Sequence, residues 1–411
     1  MDDELSIIRD GYVAVKVGKI LAVGQARENQ YQAKEIIDAG DSIVMPGLIN
    51  CHTHAAMTYF RGLADDLPLE VWLNQHIWPA EAKYVNEDFV KRAGELACLE
   101  MLKAGVTCYN DMYFFGSAMA EPAIKAGIRA LVGIVGLDFK EADQAIKDTM
   151  ALASEFKNHE LVKIVLAPHA VYSCSEETLL KIKQAAEKEN LRLHMHVSET
   201  KNEVEDARKA FGKTPAAYLD SLGLLSDKFT AAHSVWLTDQ DLEIYKNRGV
   251  KVAHCPISNM KLASGAAPLK RMLEMGITVG LGTDGAASNN TLDLFSDMRA
   301  CALMHKVNNF DPTAVRAKQV VKMATIDGAR ALGLEKETGS LETGKMADII
   351  TINLNQPHLT PLYDPYSHLV YCVGGQDVKN VIVNGKMLMR NREVKTLDEK
   401  KILRQAGEFN I

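Results

Sequence analysis

No stretch of this 411-residue chain approaches the roughly 18 uninterrupted apolar residues of a membrane span, so no membrane partner is expected. The seven cysteines (51, 98, 108, 174, 255, 301 and 372) are odd in number, scattered, and contain no C-x-x-C pair. That excludes a disulfide framework and a structural zinc finger and fits a reducing compartment. The opening Met1-Asp2-Asp3-Glu4 is acidic where a secretory signal is basic, and no apolar segment follows it, so a cytoplasmic location is expected. Long blocks of like charge are also missing. A net charge of -6 spread in this way argues against a nucleic-acid surface and for a small-molecule partner. There is no internal repeat and no low-complexity tract.

What is present is ordinary globular material, 47% hydrophobic and 24% charged, long enough for two or three domains or one large barrel with an appendage. Eight short runs rich in Val, Ile and Ala alternate with stretches of helical period. The runs are 43–49, 106–112, 130–135, 163–167, 191–197, 229–232, 250–253 and 277–281. Between them 87–103, 141–156, 176–189 and 202–222 space apolar residues by three and four. Eight βα units predict a closed (β/α)8 TIM barrel of the α/β class.

Residues 55–86 exceed an ordinary βα connection and carry Trp72 and Trp78, which predicts a lid or pocket wall, or else an extra packed helix pair. Residues 12–20 read as a hairpin turning at Gly18-Lys19, and 344–352 and 378–385 read as strands. Residues 1–42 and 344–411 are therefore expected to combine into one small composite β-sandwich domain beside a barrel at 43–343. The opening on an acidic turn, with no strand before it, raises the expectation of one more N-terminal strand than the sequence contains.

Enzymes on a (β/α)8 barrel build their sites past the C-terminal ends of the strands. His52-Thr53-His54 follows the first run, His169 the fourth, His196 with Glu199 the fifth, His233 the sixth, His254 the seventh and Asp284 the eighth. A lone histidine in such a place is usually a hydrogen-bonded structural residue. Six such placements among twelve histidines form a pattern.

The two histidines of an extended H-x-H share a face and can reach one ion. His52, His54, His196 and Asp284 make three imidazoles and a carboxylate, a set suited to one divalent metal ion, Zn2+ or Fe2+, with a position left for water. A second ion would call for a bridging lysine or carboxylate past the fourth run, where Ala167-Pro168-His169 stands instead. His194 shares the face of His196 but lies lower, where a core layer is expected. Asp284 can also serve as the base for the metal's water, and Glu199 can reach a substrate nitrogen, although an acid there also suits the first turn of the next helix.

The segments Val44-Met45-Pro46-Gly47-Leu48-Ile49-Asn50-Cys51-His52-Thr53-His54, His196-Val197-Ser198-Glu199, Ala232-His233-Ser234 and Gly282-Thr283-Asp284-Gly285-Ala286-Ala287-Ser288-Asn289-Asn290 resemble the amidohydrolase superfamily over nearly the whole chain. Within it, residues 59–73, Ala167-Pro168-His169 and Ser288-Asn289-Asn290-Thr291-Leu292-Asp293 are similar to the 5-methylthioadenosine/S-adenosylhomocysteine deaminases. The resemblance implies hydrolytic deamination of an adenine nucleoside and self-association as a homo-oligomer. It implies that Glu199 protonates N1, that Asp284 moves a proton from water to the leaving amine, and that His233 orients the water. It further implies substrate contacts from Trp72, His169 and Glu81, the last to the ribose hydroxyls.

Residues 131–160 contain no arginine to hold a homocysteine carboxylate, so uncharged 5′ substituents are expected to be preferred. Alternatives within the superfamily are a guanine or 8-oxopurine deaminase or a triazine chlorohydrolase. Outside enzymology the alternative is a structural homologue, which would be expected to have lost metal ligands. The H-x-E and P-C-x-x-C pattern of cytidine-deaminase-type zinc enzymes is absent.

Overall fold

The structure, a computed structural model, describes residues 1–138 and 142–410. Eight parallel strands form the barrel: β4 (Leu48–Thr53), β5 (Val106–Tyr113), β6 (Arg129–Gly136), β7 (Val162–Pro168), β8 (Arg192–Val197), β9 (Phe229–His233), β10 (Lys251–His254) and β11 (Val279–Leu281). They follow one another in chain order around the sheet. At the seam between β11 and β4, Asn50 Nδ2 donates to Thr283 Oγ1 and Asp284 N–H to His52 O (3.0 Å). A Cβ on Gly282 would lie 2.9 Å from His52 Cβ, so only glycine lets the last strand approach the metal-ligand candidates of the first so closely.

The run 43–49, read as one barrel strand, is two strands. Ser42–Pro46 (β3) pairs antiparallel with β12 (Ile349–Asn353), and β4 begins after Gly47. The residue at that crossing must be glycine, because a Cβ at residue 47 would collide with the Thr107 side chain at 2.1 Å. β3 and β12 form a five-stranded sheet with β13 (Val378–Val383), β14 (Lys386–Arg390) and β15 (Glu393–Val394).

The N-terminal hairpin, β1 (Gly11–Lys16) and β2 (Lys19–Gln25), remains a separate ribbon. Ile20, Leu341, Ala347 and Ile349 pack together as a small core there, with Val13, Val23, Val44 and Ile382 against them. Its turn lies at Val17-Gly18, one residue earlier than read. Both residues have positive φ (50° and 76°), the conformation a two-residue turn needs to match strand twist.

The helices Glu87–Lys103 and Glu176–Glu189 have the bounds their periodicity predicts. Of the expected helix 141–156, Ala142–Glu155 is helical and residue 141 lies outside the described residues. The stretch 202–222 is two helices, Lys201–Phe211 and Pro215–Ser221. Gly212 takes the left-handed C-cap of the first, and Thr214 and Pro215 start the second, signals that periodicity alone overrides. The helix Ile326–Leu332 packs Ile326, Ala329, Ala331 and Leu332 against Ile49, Cys51, Cys108, Leu131 and Val165 of the barrel.

Candidate active site

β4 carries His52 and ends one residue before His54, β8 carries His196 and β9 ends on His233. The strands then leave through sharp corners. Ser198, His233, Ser234 and Asp284 all have left-handed φ (53°, 66°, 52° and 63°) without being glycine, and such strain gathers at sites that must aim side chains. The ligand-type atoms of His52, His196, His233 and Asp284 lie within 4.8 Å of one another. His54 joins them, its Nε2 standing 3.3 Å from Asp284 Oδ1 and 3.3 Å from His196 Nε2.

The hydrogen bonds behind these rings fix their tautomers. His54 Nδ1 faces Met112 O (2.6 Å) and His196 Nδ1 faces His169 O (2.8 Å). Carbonyls only accept, so both Nδ1 atoms carry the proton and both Nε2 lone pairs point at the cluster.

His52 reaches the same state through one more ring. His194 Nδ1 donates to Thr230 O (3.1 Å), which leaves His194 Nε2 an acceptor for His52 Nδ1 (2.7 Å). His52 Nε2 is then a buried lone pair with no hydrogen-bond partner. An oriented second shell and converging lone pairs are what a metal site requires of its imidazoles. Sequence placed His194 in a lower layer; its role as the partner of His52 emerges only from the packed barrel.

Asp284 completes the set. Its Oδ2 accepts from Ser258 Oγ (2.6 Å) and Ser288 Oγ (2.7 Å), so Oδ1 faces the histidines, 3.2 Å from His52 Nε2. Burial opposes its charge, but His52 and His54 hold the carboxyl well below the ordinary carboxylate range. Burial and neighbouring rings lower His196 far below its ordinary value and take His169 down to about 3, which keeps these imidazoles neutral. His54 goes the other way, raised against burial to about 9 by the Asp284 carboxylate beside it. Three imidazoles and one carboxylate converging on one point, with Nε2 of His52 unpartnered, fit a divalent metal ion, which would take the place of that proton.

Beside the cluster, His233 Nδ1 donates to Asn259 Oδ1 (2.9 Å), and its Nε2 stands 3.7 Å from Glu199 Oε2. Burial pushes the Glu199 carboxyl up, partly offset by His233. All of this opens into one cavity lined by His54, His196, Glu199, His233 and Asp284. Trp72, Glu81 and His169 also line it.

The segment 55–86 forms its wall through consecutive helical turns, Leu69–Trp72, a π turn Leu73–Ile77, and Trp78–Tyr84. Glu81, which looks like a solvated acid in sequence, is only 4% exposed. His254 stands apart from the site: its Nε2 lies 3.0 Å from His305 Nε2 on the helix Leu294–Asn308. Ser258 and Asn259 went unnoticed in sequence, and Ser288 stood in a motif without a role, because polar residues in loops carry no local signal of what they will touch.

The Amidohydrolase family model matches residues 43–388. The chain belongs to the amidohydrolase family. This amidohydrolase is 47% identical to a 5-methylthioadenosine/S-adenosylhomocysteine deaminase of Thermodesulfovibrio yellowstonii, over 99% of this chain and 94% of that protein. It is 46% identical to a 5′-deoxyadenosine deaminase of Methanosarcina mazei, again over 99% and 94%. A crystal structure of an adenosine deaminase from Xanthomonas campestris with bound zinc superposes with a TM-score of 0.97 at 37% identity, covering 99% of this chain and 95% of that one. Among the described residues no helix is long and apolar enough to cross a membrane.

Proposed function

We propose that this amidohydrolase deaminates 5′-substituted adenosines to the inosine analogue and ammonia, using one divalent ion held by His52, His54, His196 and Asp284. The observation that carries the reading is the placement of that donor set, Glu199 and His233 at one end of a cavity that buries Glu81 in its wall. Zinc is the metal we favour, since the similar Xanthomonas deaminase structure holds it. When bound, the ion supplies the Lewis acidity that makes water a nucleophile near neutral pH.

The side chains do the rest. Asp284, held ionised, takes a proton from the attacking water. Glu199, whose burial favours the protonated carboxyl, donates a proton to N1 of the ring. That draws electrons from C6 as the new C6–O bond forms. His233 presents its Nε2 lone pair between Glu199 and the cluster and orients the water. Asp284 then passes its proton to the amine as the C6–N bond breaks and ammonia leaves, while the C6 hydroxyl gives its remaining proton to the Glu199 carboxylate, which forms the C6=O of the inosine ring and restores Glu199. Trp72 packs against the nucleoside, Glu81 accepts from the ribose hydroxyls, and His169 contacts the base. The seven free thiols, six of them buried, fit a reducing cytoplasm.

The 5′ end of the substrate meets an apolar wall. Leu137, Val135, Phe114 and Leu73 line the cavity, and no lysine or arginine is among the described residues that do. A carboxylate placed there forgoes a charge-assisted bond worth about 1.5–3 kcal/mol, a factor of at least about ten in binding. An ultraviolet assay of adenine-to-hypoxanthine conversion is therefore expected to give kcat/KM for 5′-deoxyadenosine and 5′-methylthioadenosine at least about tenfold above S-adenosylhomocysteine. Preference for S-adenosylhomocysteine refutes the 5′ assignment, and inactivity on all three refutes the proposed function.

A further inference from the structure

Glu199 gets its position from a corner, and one buried side chain holds that corner. The helix Lys201–Phe211 is N-capped by Thr200, whose Oγ1 accepts from Glu203 N–H (3.1 Å). An acid three residues past such a cap ordinarily turns back to the cap residue's own N–H. Glu203 does not. Its carboxylate reaches past Thr200 and takes the two preceding N–H groups, Ser198 N at 2.9 Å on Oε1 and Glu199 N at 2.7 Å on Oε2. The Ser198 carbonyl is held from the other side by Val235 N (3.0 Å) and Trp236 N (2.9 Å). Ser198 itself sits at φ 53°, a left-handed conformation that a serine keeps only when its surroundings impose it. Glu203 is 8% exposed, so the grip is not shared with bulk water.

We propose that Glu203 is a positioning residue for the deamination: its two-pronged hold on the Ser198–Glu199 corner aims the Glu199 carboxyl at N1 of the substrate. The inference rests on the proposed function for its catalytic consequence and on geometry alone for the hold. A helix cap that served only stability would bond Thr200 N–H and leave the corner to its strand. Here both carboxylate oxygens are spent on the residue that must face the ring and on its strained neighbour.

The decisive variant is Glu203→Gln, which keeps size but turns an amide NH2 towards one of the two N–H groups. In the metal-loaded enzyme kcat for 5′-deoxyadenosine is expected to fall by about 10²-fold, the cost of a misplaced reacting group, with KM and metal content little changed. Because Glu203 acts through Glu199, Glu199→Gln/Glu203→Gln is expected to be no slower than Glu199→Gln alone. A general structural role predicts additive losses instead. Amide hydrogen exchange at Ser198 and Glu199 is expected to accelerate in Glu203→Gln, a readout that needs no substrate.

Wild-type kcat in Glu203→Gln, additive losses in the double variant, or unchanged exchange at those two amides each overturns the proposal. If the wild type deaminates none of the adenosines, the proposed function falls and the hold is judged on amide exchange alone. If Glu203→Gln does not fold, Glu203→Asp replaces it. This variant keeps the charge, shortens the reach by one methylene, and is expected to show the same kcat loss in milder form.

Discussion

Removing the two serine hydroxyls behind Asp284 tests how the site is held together. Ser258 and Ser288 are 0% and 2% exposed, and replacing either by alanine deletes one oxygen and leaves the packing intact. Each donates to the same carboxylate oxygen, at 2.6 and 2.7 Å. A hydrogen bond to a buried charge is worth about 1.5–3 kcal/mol, so losing one donor is expected to cost about 10- to 150-fold in whatever depends on the orientation and charge of Asp284.

The two losses are not independent. With one hydroxyl gone the other still pins Oδ2, so each single variant should sit at the low end of that range. Ser258→Ala/Ser288→Ala leaves the oxygen without a donor, in a side chain only 7% exposed, and should lose more than the product of the singles. The assay is kcat/KM on 5′-deoxyadenosine, paired with the half-time of metal loss to a chelator, since loosening a ligand's outer contacts typically costs 10–100-fold in affinity or activity. A double variant within about threefold of wild type in both measures would refute the claim that these serines aim Oδ1 at the metal ligands.

Three further outcomes are expected. His196→Ala should bind no metal and Glu199→Gln should keep its metal while losing most of kcat; full metal occupancy in the first variant contradicts the ligand assignment. His305 is neutral in the fold, burial having lowered it from 6.5 to about 4, so below pH 6.5 the unfolded chain binds a proton that the folded chain refuses. Stability is therefore complete above pH 6.5 and falls by roughly 3 kcal/mol as the pH drops towards 4. His305→Leu should flatten the thermal-melting-against-pH curve in that window, and parallel curves for the two proteins would contradict it. Arg129→Met breaks a fully buried pair, since Arg129 Nη2 lies 3.1 Å from Asp348 Oδ2 with the side chains 1% and 0% exposed. It should cost about 3–5 kcal/mol by leaving Asp348 charged and buried. A melting temperature within about 2 °C of wild type would count against that.

The sequence alone determined the barrel, most of its strand positions, and that His52, His54, His196, Glu199, His233 and Asp284 stand at or just past strand ends, because these depend on local pattern. A βα unit announces itself by its periodicity, and a barrel site by what stands just past each strand. Where local signals compete, the reading slips: at Gly47, packed too close to Thr107 for any Cβ, one run divides between two sheets, and at Gly212 a long helical pattern breaks in two.

Tertiary structure decided the rest. His254 and His233 occupy equivalent places in the sequence, yet one pairs with His305 and the other faces Glu199. The tautomer of His52 depends on His194, 142 residues away, and the aim of Asp284 on Ser258, 26 residues away. Such partners share no sequence periodicity; only closing the barrel brings them within 4 Å, where a single lone pair or proton decides what each group can do.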